Sequence, residues 1–263
     1  MDNSKQENIY GKYMPIYQKK IINLLDIPII DSMDDEKTFD LDGKMEGFLK
    51  LKIEHIITVY VNSINGYVGL DRSLFYYSIH HLLFWYYILE SEQTSESDKE
   101  FCDFEIRNFF YQTLGNIYSI KEKIIGFVGC EIKKGRPEFE KSALSEVGIK
   151  KFKKLLADNK KLVQMINMRN LIIHDCYNLD FQPNKLEIKI SKFNFDFTTK
   201  TFSKSEDPVF LVNEESILSL YKNVLNLIKE FKNFIRDSNN INIEKMRPKF
   251  LSNDGKRYVL TLP

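Results

Sequence analysis

The sequence predicts a mainly α-helical protein with a small β appendage, and three observations carry that expectation. Apolar residues recur at helical spacing over long stretches of the 263-residue chain. After Asp175 the period shortens from 3.6 to 2: Leu186, Ile188 and Ile190 alternate with charged residues, and Phe193, Phe195 and Phe197 repeat the alternation. Composition, 43% apolar and 29% charged, is that of a globular chain able to bury a sizeable core.

The elements follow in order. About Tyr13 to Leu25 the chain is amphipathic, and Asp31 to Asp42 reads as a turn-rich acidic connector. A helix is predicted over about 44–62, with Phe48, Leu51, Ile56 and Val59 among its apolar positions, ending near Asn65-Gly66. Asp71 stands where an N-cap would open the next helix, about Arg72 to Glu90, which is apolar nearly all round and belongs in the middle of a bundle. Ser91 to Lys99 reads as a polar loop. A long helix over about 101–131 places Phe104, Phe109, Tyr111, Leu114, Ile117, Ile120, Ile124 and Phe127 at core spacing, until Gly135-Arg136-Pro137 breaks the pattern.

A lysine-rich helix, about Ser145 to Ala157, leads to another over about 159–174. The last helix, about Glu214 to Arg236, carries Ile217, Leu220, Tyr221, Val224, Leu227, Ile228, Phe231 and Phe234 at core spacing. The expected architecture is a bundle of four to five core helices with a β-hairpin or small sheet at about 185–203 and one short strand at about 257–262. Its expected boundaries are an N-terminal extension over 1–43, a helical domain over 44–237 and a C-terminal tail over 238–263.

A formal net charge of +1 argues against a protein that coats nucleic acid through bulk electrostatics. The run Lys150-Lys151-Phe152-Lys153-Lys154 reads as a solvated face. The longest apolar run, Leu74 to Leu89, is interrupted by His80 and His81 and is too short for a bilayer span. The first residues, Met1 to Asn8, are polar and lack an apolar export core, so the expected location is cytoplasmic, with no membrane. Cys102, Cys130 and Cys176 lack the spacing of a zinc knuckle or a disulfide framework and read as reduced. No glycine-rich phosphate loop, nucleophile elbow or kinase signature occurs. One of His80 and His81 reads as a satisfied core group in an aromatic-rich helix, and His55 shows no partner.

One stretch departs from core chemistry: Arg169-Asn170-Leu171-Ile172-Ile173-His174. At about 100° per residue, Leu162, Met165, Ile166, Ile172 and Ile173 fall within about 60° of Arg169, which therefore sits in an apolar arc. Asn167, Asn170 and His174, at i, i+3 and i+7, form a polar stripe beside it. A buried guanidinium without an acceptor costs several kcal/mol, so Arg169 must meet an anion, a ring of carbonyls, or an interface open to water.

These six residues resemble the mark of the HEPN superfamily: an arginine, commonly followed by Asn, Asp or His, then a histidine after four to six intervening residues on a late helix of a bundle. In outline the likeness runs from about Lys44 to Phe234. A tyrosine lies three residues after the histidine, at Tyr177, where nucleotidyltransferase-regulated HEPN toxins have one two residues after it. The resemblance implies a HEPN-like helical bundle and a metal-independent endoribonuclease without a cofactor. It also implies a symmetric homodimer acting on RNA as a toxin or as a defence or stress effector, with an antitoxin or sensor as partner.

In that chemistry His174 would transfer the proton of the 2′-hydroxyl and Arg169 would hold the scissile phosphate. Asn170, one turn before His174, would orient the imidazole, and Asn167 would extend the polar stripe. Arg169 and His174 are about 140° apart on one helix, so a pair drawn from two protomers suits them better than a pair within one. The same residues also fit a helix-end role, with Arg169 capping carbonyls and His174 facing the macrodipole. The alternative reading of function is a HEPN-like module that binds nucleic acid or protein without catalysis.

Overall fold

The computed structural model describes residues 3–25, 53–92, 94–129, 131–133, 136–138, 142–174, 177–196, 201–242, 249–253 and 257–261. The protein is mainly helical. Its described helices are α1 (Asn3–Leu25), α2 (Ile53–Tyr67), α3 (Gly69–Glu90), α4 (Glu96–Phe127), α5 (Glu146–Asp158), α6 (Lys160–His174) and α7 (Glu214–Arg236). Strands β1 (Glu131–Lys133) and β2 (Arg136–Glu138) pair as a hairpin, as do β6 (Lys249–Asn253) and β7 (Arg257–Thr261). Between them β3 (Asn178–Gln182), β4 (Glu187–Asp196) and β5 (Thr201–Leu211) form an antiparallel sheet in that order. The acidic connector, the helix start expected over 44–52, Cys130, Cys176 and Phe197 lie outside the described residues, as do the side chains of His55, Ile56, Val59, Phe193 and Phe195. None of the described helices is long and apolar enough to cross a membrane.

The chain divides into two compact units, one of residues 1–31, 73–118 and 161–224, the other of 32–72, 119–160 and 225–263. In the first, α3 is buried nearly all round from Ser78 to Ile88, with Ile79, Leu83, Phe84, Trp85 and Ile88 wholly enclosed, while Leu74 and Tyr77 before it are exposed. Helix α1 starts well before Tyr13 and continues through Pro15, because Ile9, Tyr13, Ile21 and Leu25 keep one face buried across the bond that the proline cannot make. The ring of Tyr10 stacks on Phe84 at 5.0 Å. Helix α4 starts inside the expected polar loop. Ser95 Oγ accepts from the Asp98 N–H at 3.2 Å, and Glu96 and Asp98 suit the positive end of the helix dipole.

On α4 six of the eight expected core positions, from Phe109 to Phe127, are buried, while Phe104 and Tyr111 are exposed and Cys102, Ile106, Phe110 and Thr113 join the core. Of the two expected forms the structure has the small sheet, and it extends beyond 185–203, from Asn178 to Leu211. Phe181, Ile188 and Phe210 pair side by side across its three strands and are all buried, and the Phe210 ring meets Phe110 of α4 at 4.8 Å. Leu186, expected from the alternation to be a strand residue, instead turns the chain with φ 50°. Strand β4 therefore begins one residue later than the alternation suggests.

In the second unit Ile57, Val61, Ile64 and Val68 form the buried stripe of α2 and the bend after it. Backbone bonds from Val68 N–H to Ile64 C=O and from Arg72 N–H to Val68 C=O carry helical pairing past Asn65-Gly66. Asp71 thus lies inside the first turn of α3 rather than at its cap, and its carboxylate accepts from Ser119 Oγ at 2.5 Å. Helix α4 stops at Phe127, short of Glu131, where Gly129 takes φ 72° and turns the chain into β1.

Helix α5 begins one residue after the expected Ser145, which caps it: Ser145 Oγ accepts from Gly148 N–H at 3.0 Å. The same hydroxyl donates to Asn239 C=O at 2.5 Å, and Leu144 bridges Ile241. A Cβ at Gly148 would lie 1.9 Å from the Asn240 carbonyl oxygen. Phe152 closes the contact against Phe231 and Phe234.

Candidate functional site

Helix α6 occupies almost the span its periodicity predicts. Leu162, Met165, Ile166 and Met168 are buried, which fixes the inward face of the helix. The apolar arc does not stay closed to its end: Ile172 is half-buried and Ile173 is 41% exposed. Arg169 and Asn170 are half-buried, while Asn167 and His174 are exposed, His174 being the last residue of the helix. The final turn of α6 is where this polar stripe meets solvent.

Among the described residues Arg169 meets neither an anion nor a ring of carbonyls. Its guanidinium carbon lies 3.9 Å from the centre of the Tyr118 ring of α4, the range in which a cation is drawn to the negative face of the π system. Nη1 donates to the side-chain oxygen of Asn170 at 3.2 Å. Nε is buried with no hydrogen-bond partner among the described residues. Stacking on a ring suits a half-buried guanidinium, since it is weakly hydrated on its faces and keeps its N–H groups at the edge. A single amide oxygen leaves most of the five N–H donors of the fork unused.

Asn170 therefore serves the arginine rather than the imidazole: its oxygen accepts from Arg169. Among the described residues no hydrogen bond links Asn170 to His174, contrary to expectation. Nor do Arg169 and His174 share a hydrogen bond within one chain, consistent with their angular separation on the helix. Asn167 remains on the exposed face, as the stripe predicts. Tyr118 is the participant that spacing did not disclose, because it comes from a different helix.

The other histidines separate clearly from this site. His81 is 7% exposed; its Nδ1 lies 2.8 Å from the Tyr10 hydroxyl, and its ring stacks on Phe109 at 4.5 Å. Burial, with the neighbouring charge of His80 adding to it, holds this imidazole down at about 4. It is the satisfied core group that the aromatic helix suggests. His80 is also lowered by burial.

A groove of about 630 Å³ in the first unit is lined by Glu90, Glu96, Glu100 and Asp103, with Lys99 as its one lining cation. Its charge repels a polyanion, so it is not where a phosphodiester would sit. Burial raises the Asp103 carboxyl, although Arg107 pairs with it at 2.9 Å. Among the described residues there is no group of three or more His, Cys, Asp or Glu side chains arranged to hold a metal ion. The chain matches no protein-family model, no curated protein and no solved structure.

Proposed function

We propose that this chain is a HEPN-type endoribonuclease that cuts RNA without a metal, works as a homodimer, and serves as a toxin or as a defence or stress effector. The observation that supports it is an arginine at the open end of a late helix, held against a tyrosine ring and donating to one amide oxygen, five positions before an exposed histidine. In this reading His174 takes the proton of the 2′-hydroxyl as its oxygen attacks phosphorus. The bond from phosphorus to the 5′-oxygen breaks, the 5′-oxygen leaves with a proton, and a 2′,3′-cyclic phosphate remains. Arg169 stabilises the charge that gathers on the phosphorane oxygens. Asn170 holds Arg169 by its Nη1, and Asn167 lines the exposed stripe.

Two copies supply what one lacks: Arg169 of one protomer facing His174 of the other removes the angular difficulty. Purified wild type should cleave RNA, and Arg169→Ala and His174→Ala should each lose about 100-fold or more of that activity and the growth arrest that follows expression. Mixing the two dead variants should restore part of it, because a mixed dimer rebuilds one complete site. Cleavage that survives both substitutions would overturn the reading. A second reading, a HEPN-like module that binds without cutting, draws on the engagement of Arg169 by Tyr118 and Asn170 in the single chain; it is the outcome if wild type binds RNA and leaves it whole.

A further inference from the structure

We infer that Tyr118 is the positioning residue of this site, fixing the Arg169 guanidinium as a preformed edge for a phosphodiester oxyanion; the inference rests on the reading of Arg169 given above. An arginine in solution samples many rotamers, and most of that freedom must be surrendered before its fork can grip a phosphate with two parallel bonds. Here the surrender precedes the ligand. Tyr118 places its ring 3.9 Å from the guanidinium carbon, while Asn170 accepts from Nη1 at 3.2 Å, so the group is held at two points. Two contacts of different kind, an aromatic ring at the guanidinium carbon and an amide oxygen at Nη1, restrict the rotamers open to the side chain.

The remaining chemistry points to an anion. The fork donates to Asn170 alone among the described residues, and the buried Nε–H has no acceptor. No carboxylate neutralises the cation: none of the ion pairs among the described residues involves Arg169. A structural arginine is normally consumed by carbonyls or a carboxylate; this one is held by groups that leave its charge available. The tyrosine ring, rather than its hydroxyl, does the holding, so the requirement at position 118 is an aromatic face.

The test compares wild type, Tyr118→Phe, Tyr118→Leu and Arg169→Lys as full-length proteins, with thermal unfolding run on each. Activity is read on a single-stranded RNA oligonucleotide and binding on its 2′-deoxy counterpart, which cannot be cut by 2′-hydroxyl attack. Tyr118→Phe should stay within about threefold of wild type in both. Tyr118→Leu should lose about tenfold in kcat/KM, carried mainly by KM with kcat changed less, and about tenfold in affinity for the deoxy-oligonucleotide. Arg169→Lys, which keeps the charge and loses the planar stack, should fall with it, and decides the matter if the leucine variant does not fold.

Equal activity and binding in Tyr118→Leu and wild type, or a phenylalanine variant as poor as the leucine one, would overturn the inference. Wild type that binds the deoxy-oligonucleotide through Tyr118 and Arg169 but leaves RNA intact would remove the nuclease reading and keep this one. Wild type that neither binds nor cuts removes both.

Discussion

The surroundings of His81 and the last turn of α6 are two answers to the same problem, a polar side chain on an apolar helix. Around His81 the fold encloses the group and gives its Nδ1 a partner. Tyr10 supplies a hydrogen-bond partner at 2.8 Å, Phe109 covers the ring, and little of the residue reaches water. At the end of α6 it stops half way, holding Arg169 by one ring and one amide and leaving His174 in solvent. A histidine or arginine in an apolar register is thus not informative by itself. What distinguishes a core group from a candidate working group is whether the fold saturates its hydrogen bonds.

Substitutions should divide the two regions by the property they damage. The largest effect on stability is expected from Phe84→Ala, which empties a wholly buried site beside Tyr10 and Trp85 and should cost about 3–5 kcal/mol in a denaturant titration. Acid should come next. His81 titrates at about 4 in the folded chain, below the ordinary 6.5, so as pH falls the unfolded chain takes up the proton first. Its contribution is complete above about 6.5 and is lost progressively between there and about 4, with a ceiling of ~3 kcal/mol.

Glu105, whose carboxyl burial raises, pulls the other way over acid pH, so the histidine is isolated by comparing wild type with His81→Phe. The variant should show the shallower fall of melting temperature between about pH 7 and about pH 4.5; equal slopes would remove His81 from the account. The smallest effect belongs to the other region. His174→Ala should shift unfolding by no more than about 0.5 kcal/mol, since the residue is exposed at a helix end. A larger loss would place His174 in the structural class with His81 and blunt the contrast.

Helix interiors were the legible part of the sequence. All eight apolar positions expected on α7, from Ile217 to Phe234, are buried, because a long period averages over local exceptions. Ends and strands were less legible. Ser95 opens α4 within a segment whose polarity reads as loop, and β1 and β3 are short elements whose pairing partners decide them. Phe104 and Tyr111 fail as core residues because a helix face is chosen by its neighbours as well as by its own side chains. At the candidate site, the oddity of Arg169 was readable from one helix, while Tyr118 was not: a ring contributed by α4 leaves no trace in the spacing of α6.

Gly148 shows how far such a requirement from distant sequence can narrow a choice. The obstacle to any larger residue there is the carbonyl of Asn240, part of the main chain, so no rotamer change can move it aside. The word Ser145-x-x-Gly148 is consequently spelled at both ends by one turn near Asn240, the hydroxyl reaching toward it and the hydrogen making room. Anyone transplanting α5 into another scaffold, or trimming the chain just after α7, would have to carry both halves of that clasp or lose the anchor that seats the first turn of the helix.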